Sequence, residues 1–195
     1  GERREETRIA LQLDENLTVE LHTAFYPDYG AYEWTVYFCN TGSADSGVLS
    51  EVLCADLDFT GVRPCLKGIL GDHENQYRPY ARPVEEKIAF RSESGRPTHV
   101  WFPYFNLEHG EGGTLIALGW AGTWEARFLP QEGSVRFQAV STLDMHTYLK
   151  PGESVRTALV ALLPYFPREE DYAANLWRRF FIDCNLPRAD GTGTP

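Results

Sequence analysis

The chain has 195 residues and a formal net charge of −10, from 28 acidic and 18 basic side chains. That length supports one substantial domain with its own core, and the negative balance repels phosphate backbones, which argues against nucleic acid as a partner. No apolar run reaches the ~20 residues of a membrane-spanning helix. The charged opening, GERREETRIA, lacks the apolar centre of a signal peptide.

Aromatic residues make up 13% of the chain, with five Trp and ten Tyr, and the twelve Pro fit many strands and turns better than a helical bundle. The cysteines, Cys39, Cys54, Cys65 and Cys184, form no C-x-x-C pair. They read as free, partly buried thiols in a reducing compartment, so the expected location is cytoplasmic. A Cys54–Cys65 bridge across a hairpin is the alternative.

Period-two alternation dominates the chain. Residues 8–13 read as a first strand, turned at 14–16 into a second at 17–22. Over 32–38, Tyr32, Trp34, Val36 and Phe38 share one face, while Glu33, Thr35, Tyr37 and Cys39 take the other. A polar turn at 40–47 leads to a long strand at 48–59, with Leu57 and Phe59 on one face and Cys54, Asp56 and Asp58 on the other. Residues 60–83 are irregular, rich in Gly and Pro, and a non-periodic stretch of this length in a compact domain is often functional. Strands resume at 86–91 and 99–105. An acidic glycine turn at 108–113 precedes an apolar strand at 115–120. A turn at Ala121-Gly122 then leads to a strand carrying Trp124 and Phe128, the two reading as arms of one tight hairpin. Further strands fall at 134–140 and 155–165. About ten to twelve strands at hairpin spacing predict an all-β sandwich.

One helix is expected at 167–187. Pro167 suits its first turn, Glu169, Glu170 and Asp171 complement the positive end of its dipole, and Tyr172, Ala173, Leu176, Trp177 and Phe180 recur at helical spacing. The chain thus divides into a sandwich at 1–166, this helix, and a linker at 188–195.

Few residues present reaction chemistry. Asp56 and Asp58 lie on one strand face and could act as an acid and base pair, or could simply face solvent. The five His show neither H-x-H nor H-E-x-x-H spacing, so no metal is expected. No G-x-S-x-G elbow is present, and the glycines at 110–113 enter a strand rather than a helix, so no phosphate loop or cofactor is expected. Aromatic residues remain. Trp120 and Trp124 are either sheet core or a platform for sugar rings. The loop at 72–80 holds Asp72, His73, Glu74, Tyr77, Arg78 and Tyr80, a palette suited to a polyol; its alternative is an ordinary surface loop or a subunit contact.

An ordered set of segments then carries a resemblance. Phe102-Pro103-Tyr104-Phe105-Asn106-Leu107, Gly112-Gly113, Ala117-Leu118-Gly119-Trp120, Gly122-Thr123-Trp124 and Ala126-Arg127-Phe128 resemble the N-terminal domain of bacterial family 36 glycoside hydrolases, the α-galactosidases. Tyr29-Gly30-Ala31-Tyr32-Glu33-Trp34, Asn40-Thr41-Gly42, Tyr77-Arg78-Pro79-Tyr80 and Asn175-Leu176-Trp177-Arg178-Arg179-Phe180 extend the likeness over nearly the whole chain. The resemblance implies a β-supersandwich similar to the galactose-mutarotase fold, with a C-terminal helix. It implies a partner, the catalytic (β/α)₈ barrel of the same polypeptide, which would hold both aspartates of a retaining mechanism. No catalytic residue is therefore carried onto this chain. The expected role is to support that barrel, shape its active-site mouth or join a homo-oligomer, with an oligosaccharide as the parent enzyme's substrate. An autonomous carbohydrate-binding module and a purely structural domain are the alternatives.

Overall fold

The computed structural model describes residues 4–72, 74–141, 144–169 and 171–186. In chain order the strands are β1 (Glu5–Gln12), β2 (Leu17–Tyr26), β3 (Ala31–Asn40), β4 (Leu49–Ser50), β5 (Ala55–Thr60), β6 (Cys65–Leu70), β7 (Pro79–Pro83) and β8 (Ile88–Arg91). They continue with β9 (Trp101–His109), β10 (Gly112–Gly119), β11 (Trp124–Gln131), β12 (Ser134–Ser141), β13 (His146–Thr147), β14 (Ser154–Arg156) and β15 (Leu159–Tyr165). Helix α1 (Tyr172–Phe180) widens into a π-helical segment, Phe181–Asn185.

Two antiparallel sheets form the expected sandwich. The large sheet runs β1-β2-β3-β15-β10-β9-β6-β7, with β14 also paired to β3, and the small one runs β5-β12-β11-β8. Strand β7 is an edge of the large sheet, and the prolines at its two ends, Pro79 and Pro83, blunt that edge.

Alternation fills the space between the sheets. Leu66, Phe105, Leu107, Ile116, Leu118 and Val160 point inward from the large sheet, and Phe90, Trp124, Phe128 and Phe137 meet them from the small one. Phe90 stacks on Phe105 with centroids 5.6 Å apart, and Phe128 lies edge-on to Phe105 at 5.4 Å. The opposite, outer face of the large sheet carries a second core beneath α1. There Tyr26, Leu115, Leu163 and Tyr165 receive Ala173, Leu176 and Phe180.

Several expectations are corrected. Strands β10 and β11 do not pair; the turn after Gly119 carries the chain from the large sheet to the small one. Strand β10 is buried on both faces, so it belongs at a sheet centre rather than on one arm of an isolated hairpin. The stretch at 48–59 is two strands in two sheets, broken near Glu51, whose φ is +54°. The break resets the alternation, and Cys54 turns inward to 2% exposure. Helix α1 begins at Tyr172, so Pro167 and Glu169 precede it. Glu170, Pro187 and the expected linker lie outside the described residues. Cys54 and Cys65 are free thiols, which removes the bridge between them.

Candidate functional site

The 71–80 loop is built around close backbone packing. At Gly71 a Cβ would collide with the Thr98 carbonyl oxygen, and the Gly71 amide donates to Val100 O at 2.9 Å. Asp72, Gln76, Tyr77 and Val100 all adopt positive φ, the last at +68°, a costly conformation for a β-branched residue. The Asp72 carboxylate holds the turn, accepting from Asn75 N at 3.1 Å and Asn75 Nδ2 at 3.0 Å. Desolvation pushes its pKa upward, but the hydrogen bonds from Asn75 and the Val100 amide together hold it below the ordinary value.

Tyr80 does not belong to the loop surface. Its ring packs on Phe90 at 5.3 Å and Trp101 at 5.8 Å, and desolvation pushes the phenol pKa far up. Its hydroxyl and His99 Nδ1 are buried with no hydrogen-bond partner among the described residues. Of the expected sugar contacts, Glu74, Tyr77 and Arg78 are exposed, Asp72 is occupied by its own turn and Tyr80 packs against the core. His73 lies outside the described residues. The exposed trio does not line the clefts on the faces of the two sheets.

The tryptophan platform fails on geometry. Trp124 is 0% exposed and its indole N–H donates to Pro97 O at 2.7 Å, so it is core. Trp120 is half-buried, packs against the same core and has the Arg156 guanidinium 5.4 Å from its ring centre. Asp56 is clamped by Arg136, at 2.6 Å from Nε and 2.7 Å from Nη2, and this holds its pKa below the ordinary value. A carboxylate so held stays ionised at neutral pH and does not supply a proton. Among the described residues no three His, Cys, Asp or Glu side chains gather to hold a metal.

What the sequence conceals is the outer face of the large sheet. Glu108, expected to open the acidic glycine turn, lies in β9 as a buried anchor with its side chain 6% exposed. It ion-pairs with Lys67 Nζ at 2.6 Å and with Arg168 Nη2 at 2.9 Å. Arg168 lies just ahead of α1, so this triad ties the approach to the helix onto the sheet. Beside α1 runs an apolar groove of about 280 Å³ lined by Ile69, Phe102, Tyr104, Leu115, Ala174 and Trp177. Tyr104 meets Trp177 edge-on at 5.3 Å. A second cleft of about 440 Å³ lies on the same face over β1–β3, and it is polar, lined by His22, Glu33, Thr35 and Tyr37 among others. The spacing within each strand puts these four on one face, but nothing local shows that β2 and β3 pair in the register His22↔Thr35 and Ala24↔Glu33.

No family model matches the chain, and no curated protein matches it. Solved structures do. The GH36 α-galactosidase AgaA A355E of Geobacillus stearothermophilus, with 1-deoxygalactonojirimycin, superposes with a TM-score of 0.75 at 20% identity, over 92% of this chain and 26% of that one. The α-galactosidase of Lactobacillus brevis gives 0.74 at 14% identity, over 91% and 28%. The A355E D548N form of the Geobacillus enzyme with raffinose gives 0.69 at 22% identity, over 84% and 24%. The fold is therefore an all-β unit found within GH36 α-galactosidases, and the chain spans about a quarter of the length of those enzymes.

Proposed function

We propose that the chain is the N-terminal, non-catalytic β-sandwich domain of a bacterial glycoside hydrolase of the α-galactosidase type. The observation that carries this reading is the lopsided overlap: nearly all of this chain superposes on a small part of those enzymes. The residues themselves support it. Of the two acids that could have formed a catalytic pair, Asp56 is held by Arg136 and Asp58 is exposed on the strand face. Retaining glycosidases need two carboxyl groups about 5–5.5 Å apart across the scissile bond. On this reading both come from a barrel of the same polypeptide, acting on an α-galactoside. The groove beside α1 is the surface suited to dock it, because Phe102, Tyr104 and Trp177 present aromatic area with little polar cost.

The test compares the 195-residue chain with a longer polypeptide encoded by the same gene. The chain alone is expected to leave p-nitrophenyl α-galactoside intact, and the longer polypeptide to cleave it with retention. Turnover by the chain alone would refute the non-catalytic role. A longer polypeptide inert toward α-galactosides would refute the parent activity.

A further inference from the structure

The polar cleft over β1–β3 holds two buried polar side chains that the fold leaves largely unused. Glu33 is 8% exposed, and its one described hydrogen bond is from the Tyr26 hydroxyl to Oε2, at 3.0 Å. An ionised carboxylate offers about four acceptor sites, so most of its capacity is open. Thr35, two residues along the same face, is also 8% exposed and makes no side-chain hydrogen bond among the described residues. Among the described residues the buried side-chain atoms without a partner are the Tyr80 hydroxyl and His99 Nδ1, so the free oxygens of Glu33 and Thr35 open onto the cleft rather than being sealed in the core. Both of these line a cleft roomy enough for a sugar ring, at about 440 Å³.

The walls define the chemistry of an occupant. At one end the Tyr37 ring lies against His22, with centroids 4.5 Å apart, and offers an aromatic surface to C–H bonds. Each guanidinium at the cleft already has a carboxylate: Arg4 pairs with Glu6 at 2.7 Å, and Arg8 pairs with Glu20. Glu20 also receives His22 Nε2 at 3.0 Å. With its cations neutralised and Glu33 unpaired, the cleft has no field to attract an anion. With Arg4 and Arg8 engaged, the Glu33 carboxylate sets the local charge and disfavours an anion. Acceptors at Glu33 and Thr35 beside the Tyr37 ring suit a neutral ligand with several hydroxyls and an apolar face.

We infer that this cleft is a binding site for a neutral monosaccharide unit, with Glu33 and Thr35 as hydrogen-bonding groups and Tyr37 as the stacking surface. The inference rests on the cleft alone and stands whether or not the hydrolase reading does. It also relocates the sugar contact from the 72–80 loop, whose exposed side chains share no cleft with these residues.

Three sugars of one skeleton test it by amide chemical-shift titration of the 195-residue chain: galactose, cationic galactosamine and anionic galacturonate. The expected result is saturable shifts in β2 and β3 with millimolar galactose, and weaker binding of both charged analogues. Glu33→Gln, which keeps the size of the side chain and a partner for Tyr26, should weaken binding about tenfold or more, since hydrogen bonds to a charged group exceed neutral ones. Tyr37→Ala should abolish saturation, and Tyr77→Ala should leave it unchanged. Circular dichroism would confirm that each variant is folded, and Tyr37→Ala, on a partly exposed ring, keeps the test open if Glu33→Gln unfolds. No saturable shift, preference for a charged analogue, shifts confined to residues 74–78, or binding that survives both cleft substitutions would overturn the assignment.

Discussion

Replacing Phe180 by Ala should separate two roles for α1, bracing the sheet and offering a docking surface. Phe180 is 1% exposed and sits edge-on against two tyrosines, Tyr26 at 5.2 Å and Tyr29 at 5.4 Å. The helix has nine residues and its π-helical continuation five, a length at which an isolated helix is at best marginal in water. It therefore exists because its apolar face is docked. Removing a fully buried Phe costs about 3–5 kcal/mol, including a cavity that the rigid sheet beneath cannot close. Trp177, on the same helix, is half-buried and lines the open groove, so Trp177→Ala should cost only about 1–2 kcal/mol of burial. Urea unfolding gives both values, and amide exchange reports whether residues 172–180 lose protection in Phe180→Ala. A loss below about 1 kcal/mol, or equal losses in the two variants, would refute the view that Phe180 braces the sheet while Trp177 is left for contact.

Glu108→Gln should destabilise the domain by about 2–3 kcal/mol. That is below the ~3–5 of a fully buried pair, because Lys67 and Arg168 keep partial contact with water; an urea midpoint unchanged from wild type would count against the anchor. Asp56 has its pKa lowered by Arg136, and Glu20 by Arg8 and His22. Depressed carboxylates contribute stability above their unfolded value of about 4 and lose it as pH falls through the folded one, so melting temperature should hold from neutral pH to about 5 and drop below about 4. Arg136→Ala should make that acid slope shallower; an identical slope would show that Asp56 is not part of it. Burial pushes the Cys54 thiol up to about 11, and its Sγ lies 3.3 Å from Ala139 O. At pH 8 it should react with a disulfide reagent only after unfolding, and native-state labelling as fast as that of Cys65 would refute its burial.

Much of the strand content was legible because alternation is a local property. Tyr32, Trp34, Val36 and Phe38 do share one face of β3, where Trp34 packs on the core and Tyr32 stays 50% exposed, and Glu33, Thr35 and Tyr37 share the other. The helix was legible for the same reason, since Ala173, Leu176 and Phe180 recur at a period set by the backbone alone. Its start was not: Pro167 suits a first turn, but the segment holding Arg168 is drawn instead onto Glu108 across the sheet. The sugar candidates point in different directions, which composition does not report. Tyr77 and Tyr80 look alike in sequence, but one is 51% exposed and the other lies against Phe90 and Trp101.

Residues 101–128 mark the boundary between the two kinds of information. The sequence by itself determined that strands lie there, that Trp124 and Phe128 share a face, and that the protein is an acidic all-β domain, because side-chain period and composition need no partner. Only the tertiary structure decided that the turn after Gly119 passes between layers rather than closing a hairpin, since pairing depends on which other strand offers free backbone groups. For β10 those partners are β9 and β15. The same holds for the polar cleft. His22, Glu33 and Tyr37 meet because β2 and β3 pair in one register, and a slip of one residue would have turned His22 to the opposite face from Glu33 and Tyr37.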